Sequence, residues 1–244
     1  MRLSKSWVVT RKDLSVFRTK RSLLYSLVAF PLGIGLGLPT VVWLSVRKTH
    51  ASYAALIPLL DTFLFFFIIA AVSLASTLAA YAIVGEKVER SLEPLLATPT
   101  TDSEILFGKS LAAFLPSLAA TYFGAAVFMA YVDGLTLPTL GYLLYPNGTA
   151  GIFLLFATPL ACLFGVEVNI LVSSKVSDIR AATQLAGVLV LPFAGIYVLG
   201  EIGVLTIDAS TLLLISGGLI ALDVALFFLS TATFRREEIL TKWT

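Results

Sequence analysis

Gly108-Lys109-Ser110 closes the stretch GEKVERSLEPLLATPTTDSEILFGKS, and these are the closing letters of a nucleotide-binding loop. Such a loop reads Gly-x-x-x-x-Gly-Lys-Ser, its glycines letting backbone N–H groups wrap the phosphates. The first glycine of the motif falls at position 103, which is Ser103. Thr101-Asp102-Ser103-Glu104 reads instead as a capping box, Thr at the cap and Glu three residues on. Gly108 and Lys109 are therefore expected inside a helix already under way, dispensable for nucleotide chemistry, and the chain is expected to bind no ATP of its own. Other reactive residues are few. The single cysteine, Cys162, lies in an apolar run and the single histidine, His50, on a short loop. That argues against a disulfide framework, a cysteine-based metal motif or a Ser-His-Asp site within the chain. Three acids, Asp61, Glu167 and Asp223, stand inside apolar stretches. An ionised side chain there costs about 2.5–3.5 kcal/mol on insertion scales, so each should face protein or water. The three are either a cation or proton pathway or protonated, hydrogen-bonded contacts between helices. Nothing in the sequence brings them together.

The elements that would position these residues follow from composition. The chain has 244 residues, 58% hydrophobic and only 13% charged, where a soluble domain is nearer a quarter charged. No charge falls between Arg21 and Arg47, Lys109 and Asp133, Asp133 and Glu167, or Arg180 and Glu201, and Asp61 alone interrupts His50 to Glu86. Runs of this length reach the roughly 20 residues that cross about 30 Å of hydrocarbon as helix. Lipid admits only helices or closed barrels, and the runs lack the alternation of barrel strands. The expected fold is an all-α polytopic membrane protein with six spans, near 22–46, 53–84, 109–132, 149–172, 181–199 and 211–233. Residues 1–21 and 234–244 are read as flanking segments. No cleavable leader is expected, since the first apolar run begins only near Ser22 and is longer than a leader's core.

Sidedness follows from the bases. Fifteen Lys and Arg fall in the N-terminal segment, 85–110, the 173–180 loop and the tail; the opposite loops hold only Arg47 and Lys48. Positive charge accumulates on the cytoplasmic side, which puts both termini and 85–110 there. Within SWVVTRKDLSVFRTKR, Trp7, Leu14 and Phe17 fall near one helical face, with Arg11, Lys12, Arg18 and Lys20 around the rest. That pattern suits a helix in the headgroup layer, binding the membrane surface through Trp7, Arg11, Lys12, Phe17 and Arg18, or else a solvated basic tail. Pro192, Gly195, Gly200 and Gly203 suggest that the fifth span breaks, leaving a re-entrant piece around 193–208.

Leu92, Leu95 and Leu96 share one face of a short helix, stopped by Pro99. An apolar face on a cytoplasmic loop calls for a cover. That cover is a partner, oriented by Glu86, Glu89 and Glu93 with Lys87 and Arg90, or else the headgroups or the chain's own helices.

The segment EKVERSLEPLLATPTTDSEILFGK, between the second and third spans, resembles the type-2 permease family of ATP-binding-cassette exporters, whose pattern there runs E-[KR]-E-x-G-T-L-E-x-L-L-A-T-P and then E-[IL]-L-x-G-K. Glu86, Glu89, Leu92, Glu93, Leu95, Leu96, Ala97, Thr98, Pro99, Glu104, Ile105, Leu106, Gly108 and Lys109 take matching places, while Val88 and Arg90-Ser91 depart from it. The resemblance implies a half-transporter without catalytic residues or cofactors of its own, pairing with a second permease copy. ATP and Mg would be bound by a separate cytoplasmic ATPase. Residues 85–108 would carry the coupling helix that docks that ATPase through Glu89, Leu92, Glu93, Leu95, Leu96, Thr98 and Pro99. The basic N-terminal helix would be the connecting helix, and the segment after Pro192 a re-entrant hairpin. Two alternatives stand beside this reading. One is an ion-coupled carrier, or a sodium-extruding permease, working through Asp61, Glu167 and Asp223. The other is a membrane-anchored assembly or sensor protein. No nucleic acid partner is expected, and the substrate is open.

Overall fold

The computed structural model describes residues 3–49, 52–88, 100–176, 178–206 and 208–233, and among these every regular element is helical. Helix α1 (Leu3–Thr19) leads into α2 (Arg21–Thr49). Helix α3 (Ile57–Gly85) ends in a π-turn, Tyr81–Gly85. Helix α4 (Asp102–Leu140) is followed by α5 (Gly148–Ser173), α6 (Ile179–Val188), α7 (Leu191–Glu201) and α8 (Ala209–Thr233). Five of them, α2, α3, α4, α5 and α8, are long and apolar enough to cross a membrane.

The expected span 181–199 is not one helix. It is divided into α6 and α7 by a turn at Leu189 and Val190. Pro192 lies in the first turn of α7, where its missing N–H is harmless. The helical run of α7 continues to Glu201, and the chain then turns through Gly203, whose φ of 75° suits a residue without Cβ. Asp208 starts α8, its Oδ1 accepting from the N–H of Thr211 at 2.9 Å. That bond, with those from Ser210, holds its carboxyl below the usual carboxylate range.

Helix α3 is the central element, buried along most of its length, whereas α2 and α8 bury about a quarter of theirs. Around it Phe65, Phe67, Phe128 and Phe153 form the larger core, with Phe65 and Phe153 edge-to-face at 6.2 Å and Phe67 and Phe128 at 5.6 Å. Between helices in lipid the hydrophobic effect supplies little, so close backbone approach at small residues and hydrogen bonds decide the packing. Two crossings show this. A Cβ on Gly165 of α5 would lie 2.7 Å from the carbonyl oxygen of Val72 on α3, and Ser76 Oγ donates to Gly165 O at 2.9 Å. On α2 the buried residues Leu23, Leu27, Pro31, Gly35 and Pro39 recur every fourth position, a stripe that lies against α4. There a Cβ on Gly124 would meet the Cβ of Pro31 at 2.5 Å.

Candidate functional site

The site is built where α1, the end of α3 and the start of α4 meet. Helix α4 begins at the expected capping box: Thr101 Oγ1 accepts from the N–H of Glu104 at 3.3 Å, and Glu104 Oε2 accepts from the N–H of Thr101 at 3.1 Å. The helix therefore runs through Gly108 and Lys109, as the sequence requires. It starts seven residues before the expected span, because a capped helix extends past the apolar run into the polar layer.

Gly108 admits α1. A Cβ at this position would lie 2.7 Å from Ser6 O and 2.8 Å from Val9 Cβ, and the Thr10 hydroxyl donates to Gly108 O at 2.9 Å. The buried face of α1 is Ser6, Val9, Thr10, Asp13 and Phe17, one stripe at helical spacing. It carries Asp13 to Lys109, which is 1% exposed. Lys109 Nζ donates to Ala82 O at 2.6 Å, pairs with Glu86 Oε2 at 2.6 Å and pairs with Asp13 Oδ2 at 3.2 Å. Of the three protons of the ammonium, Ala82 O and Asp13 Oδ2 accept by hydrogen bond, and Glu86 Oε2 adds a charge contact. Ala82 belongs to the π-turn, where the ordinary i to i−4 ladder is displaced and a carbonyl is available to a side chain. The other oxygen of Glu86 pairs with Lys12 at 2.6 Å. Burial pushes the Asp13 carboxyl above its ordinary value, against the pull of the Lys109 ammonium. Two acids and two bases thus form one balanced cluster that ties three helices together.

Several expected residues fall elsewhere. Glu89, Leu92, Glu93, Leu95, Leu96, Thr98 and Pro99 lie outside the described residues. Trp7, Arg11 and Arg18 are exposed on α1. Phe17, expected at the membrane surface, is instead buried with Leu23 and Leu27 in the second core, because the face of α1 that packs inward is the one bearing Asp13. Lys12 is held by Glu86. Of the three acids in apolar stretches, Glu167 and Asp223 line one cavity. Asp61 stands apart, accepting from Asn147 Nδ2 at 2.9 Å and lining a depression shared with Thr206 and Asp208. Sequence reasoning missed the roles of Asp13 and Lys109. A signal existed for the first: Asp13 is the sole acid among the first sixty residues, set within a strongly basic segment.

Five apolar helices of spanning length, with a buried ion cluster at one end of two of them, define a multi-pass membrane protein. The family model of the ABC-2 family transporter proteins matches residues 7–212, and the chain belongs to that family. It is thus the membrane component of an ABC transporter, in a family whose permeases work with a partner ATPase. A comparison with curated proteins gives no match.

Proposed function

We propose that this chain is the permease of an ATP-driven exporter, docking its ATPase through the segment between α3 and α4 and moving substrate by alternating access. The observation that carries the reading is the cluster of Lys109, Glu86, Asp13 and Lys12. Glu86 stands three residues before the docking residues begin, and the capping box of Thr101 stands two residues after Pro99. Both ends of the segment are thereby fixed to helices that continue into the membrane. A force applied between them is delivered to α3 and α4 together, and α1 moves with both. ATP closing a pair of ATPases would tilt these helices between two access states. On this reading α6 and α7 together form the remaining span, a broken helix with its re-entrant continuation. A second copy completes the transporter in the cell membrane, with both termini in the cytoplasm.

Leu95→Asp tests the docking. A charge placed in a desolvated apolar contact costs several kcal/mol, enough to undo an interface that rests on a few anchors. The variant should insert normally and lose its ATPase on purification, or hydrolyse ATP without transport, and a cysteine at Leu96 should cross-link to the ATPase. Wild-type binding and transport by Leu95→Asp would show that this segment is not the handle. Orientation is checked separately in a Cys162→Ser background. A cysteine at Ser103 should be labelled only from the cytoplasm and one at Asn147 only from outside. Labelling of Ser103 from outside would reverse the topology.

A further inference from the structure

A cavity of about 620 Å³ opens between α4, α5 and α8. Its walls are apolar and aromatic, with Phe107 and Phe114 from α4 and Phe227 and Phe228 from α8. Glu167 of α5 and Asp223 of α8 also line it, only 6% and 4% exposed. Glu167 Oε2 and both carboxylate oxygens of Asp223 are buried and meet no hydrogen-bond partner among the described residues. Buried acids in a membrane span are expensive unless paired, and they mark functional positions. Among the described residues no Lys, Arg or His lines this cavity to pair with them.

The lining chooses among cations. A hard metal ion takes about six oxygen ligands. This cavity offers two carboxyls and the Ser110 hydroxyl, and no group of three or more metal-binding side chains occurs among the described residues. An organic cation needs fewer oxygens, because aromatic faces attract its charge and apolar walls accept its body. A phosphate-bearing lipid would set its phosphate beside two carboxyls with no base to receive it. The volume lies within the range of about 300–1,000 Å³ typical of pockets for drug-sized ligands. Phe227 and Phe228 are 38% and 66% exposed, so the cavity opens on the outer surface of the helix bundle, toward lipid.

We propose that this cavity binds a lipophilic organic cation, its charge between Glu167 and Asp223 and its body against the phenylalanines. That the cation is also the transported substrate rests on the permease reading above; its binding does not.

The test uses the purified chain in lipid nanodiscs and labelled tetraphenylphosphonium, corrected for uptake by empty nanodiscs. Saturable binding is expected, unaffected by excess sodium, whereas labelled tetraphenylborate, an anion of the same shape assayed separately, should show no saturable binding. Glu167→Gln with Asp223→Asn should weaken binding at least about tenfold, as loss of a desolvated charge pairing does. Ser110→Trp, which narrows the cavity and leaves both acids, should weaken it. Absence of saturable binding, equal binding of the borate, or unchanged affinity in the double variant would each overturn the proposal. The borate comparison needs no variant, so a misfolded mutant cannot shield the proposal. Saturable phosphonium binding without ATP-dependent movement in the full complex would support the site and count against the permease reading of its role.

Discussion

Replacing Lys109 with alanine should destabilise the protein by about 3–5 kcal/mol, the range found when one member of a buried ion pair is removed. The reason is what remains. Asp13 is 3% exposed and loses its ammonium, Glu86 keeps Lys12 alone among the described residues, and Ala82 O loses the ammonium's hydrogen bond. Thermal unfolding of the purified protein should show the loss, and the yield of monodisperse protein should fall with it. Lys109→Met combined with Asp13→Asn should recover part of the stability, since a buried pair exchanged for uncharged groups of similar size is often tolerated. A Lys109→Ala protein that melts with wild type would mean that the cluster is solvated and holds nothing together. The lysine that does no nucleotide chemistry is thus expected to be among the least replaceable residues of the chain.

Gly124→Leu should rank close behind. Its Cβ would fall 2.5 Å from Pro31 Cβ and 2.8 Å from both the carbonyl carbon and the oxygen of Pro31. Backbone cannot rotate away as a side chain can, so α2 and α4 must separate along their contact. Overpacking of this kind costs about 1–3 kcal/mol or more, and the separated helices also lose the bond from Thr40 Oγ1 to Tyr131. Gly134→Leu is the matched control on the same helix, because nothing lies within 4 Å of a Cβ there. Its melting temperature should stay near wild type. Equal losses in the two variants would trace the effect to glycine itself and not to the crossing.

These two positions also show what the sequence makes legible. The capping box at Thr101 and Glu104 could be read because it is local: cap and partner are three residues apart. The long helices could be read because length and the absence of charge are properties of one segment. Lys109 could not be placed, because its partners lie at Asp13, Ala82 and Glu86, and no local pattern ties them to it. Gly108 looked like part of a failed phosphate loop when its use is to let another backbone approach. Pro192 is visible in the sequence, but the place of the break is not: the helix gives way to a turn at Leu189 and Val190, ahead of the proline. Phe17 is expected at the membrane surface because periodicity identifies an apolar face without saying what covers it. Glu167 and Asp223 share a cavity only because α5 and α8 pack together, a fact of tertiary structure.

The cluster at Lys109 also imposes an order on how the protein is made. Asp13 leaves the ribosome 96 residues before the lysine that neutralises it, and chains are synthesised and begin to fold from the N-terminus. During that interval α2 and α3 can enter the bilayer while α1 waits at the surface with its carboxylate unmatched. Only the arrival of α4 supplies Gly108 to make room and Lys109 to close the latch. A nascent chain whose fourth helix is inserted late or inverted would keep α1 undocked, its inward stripe exposed to quality-control proteases.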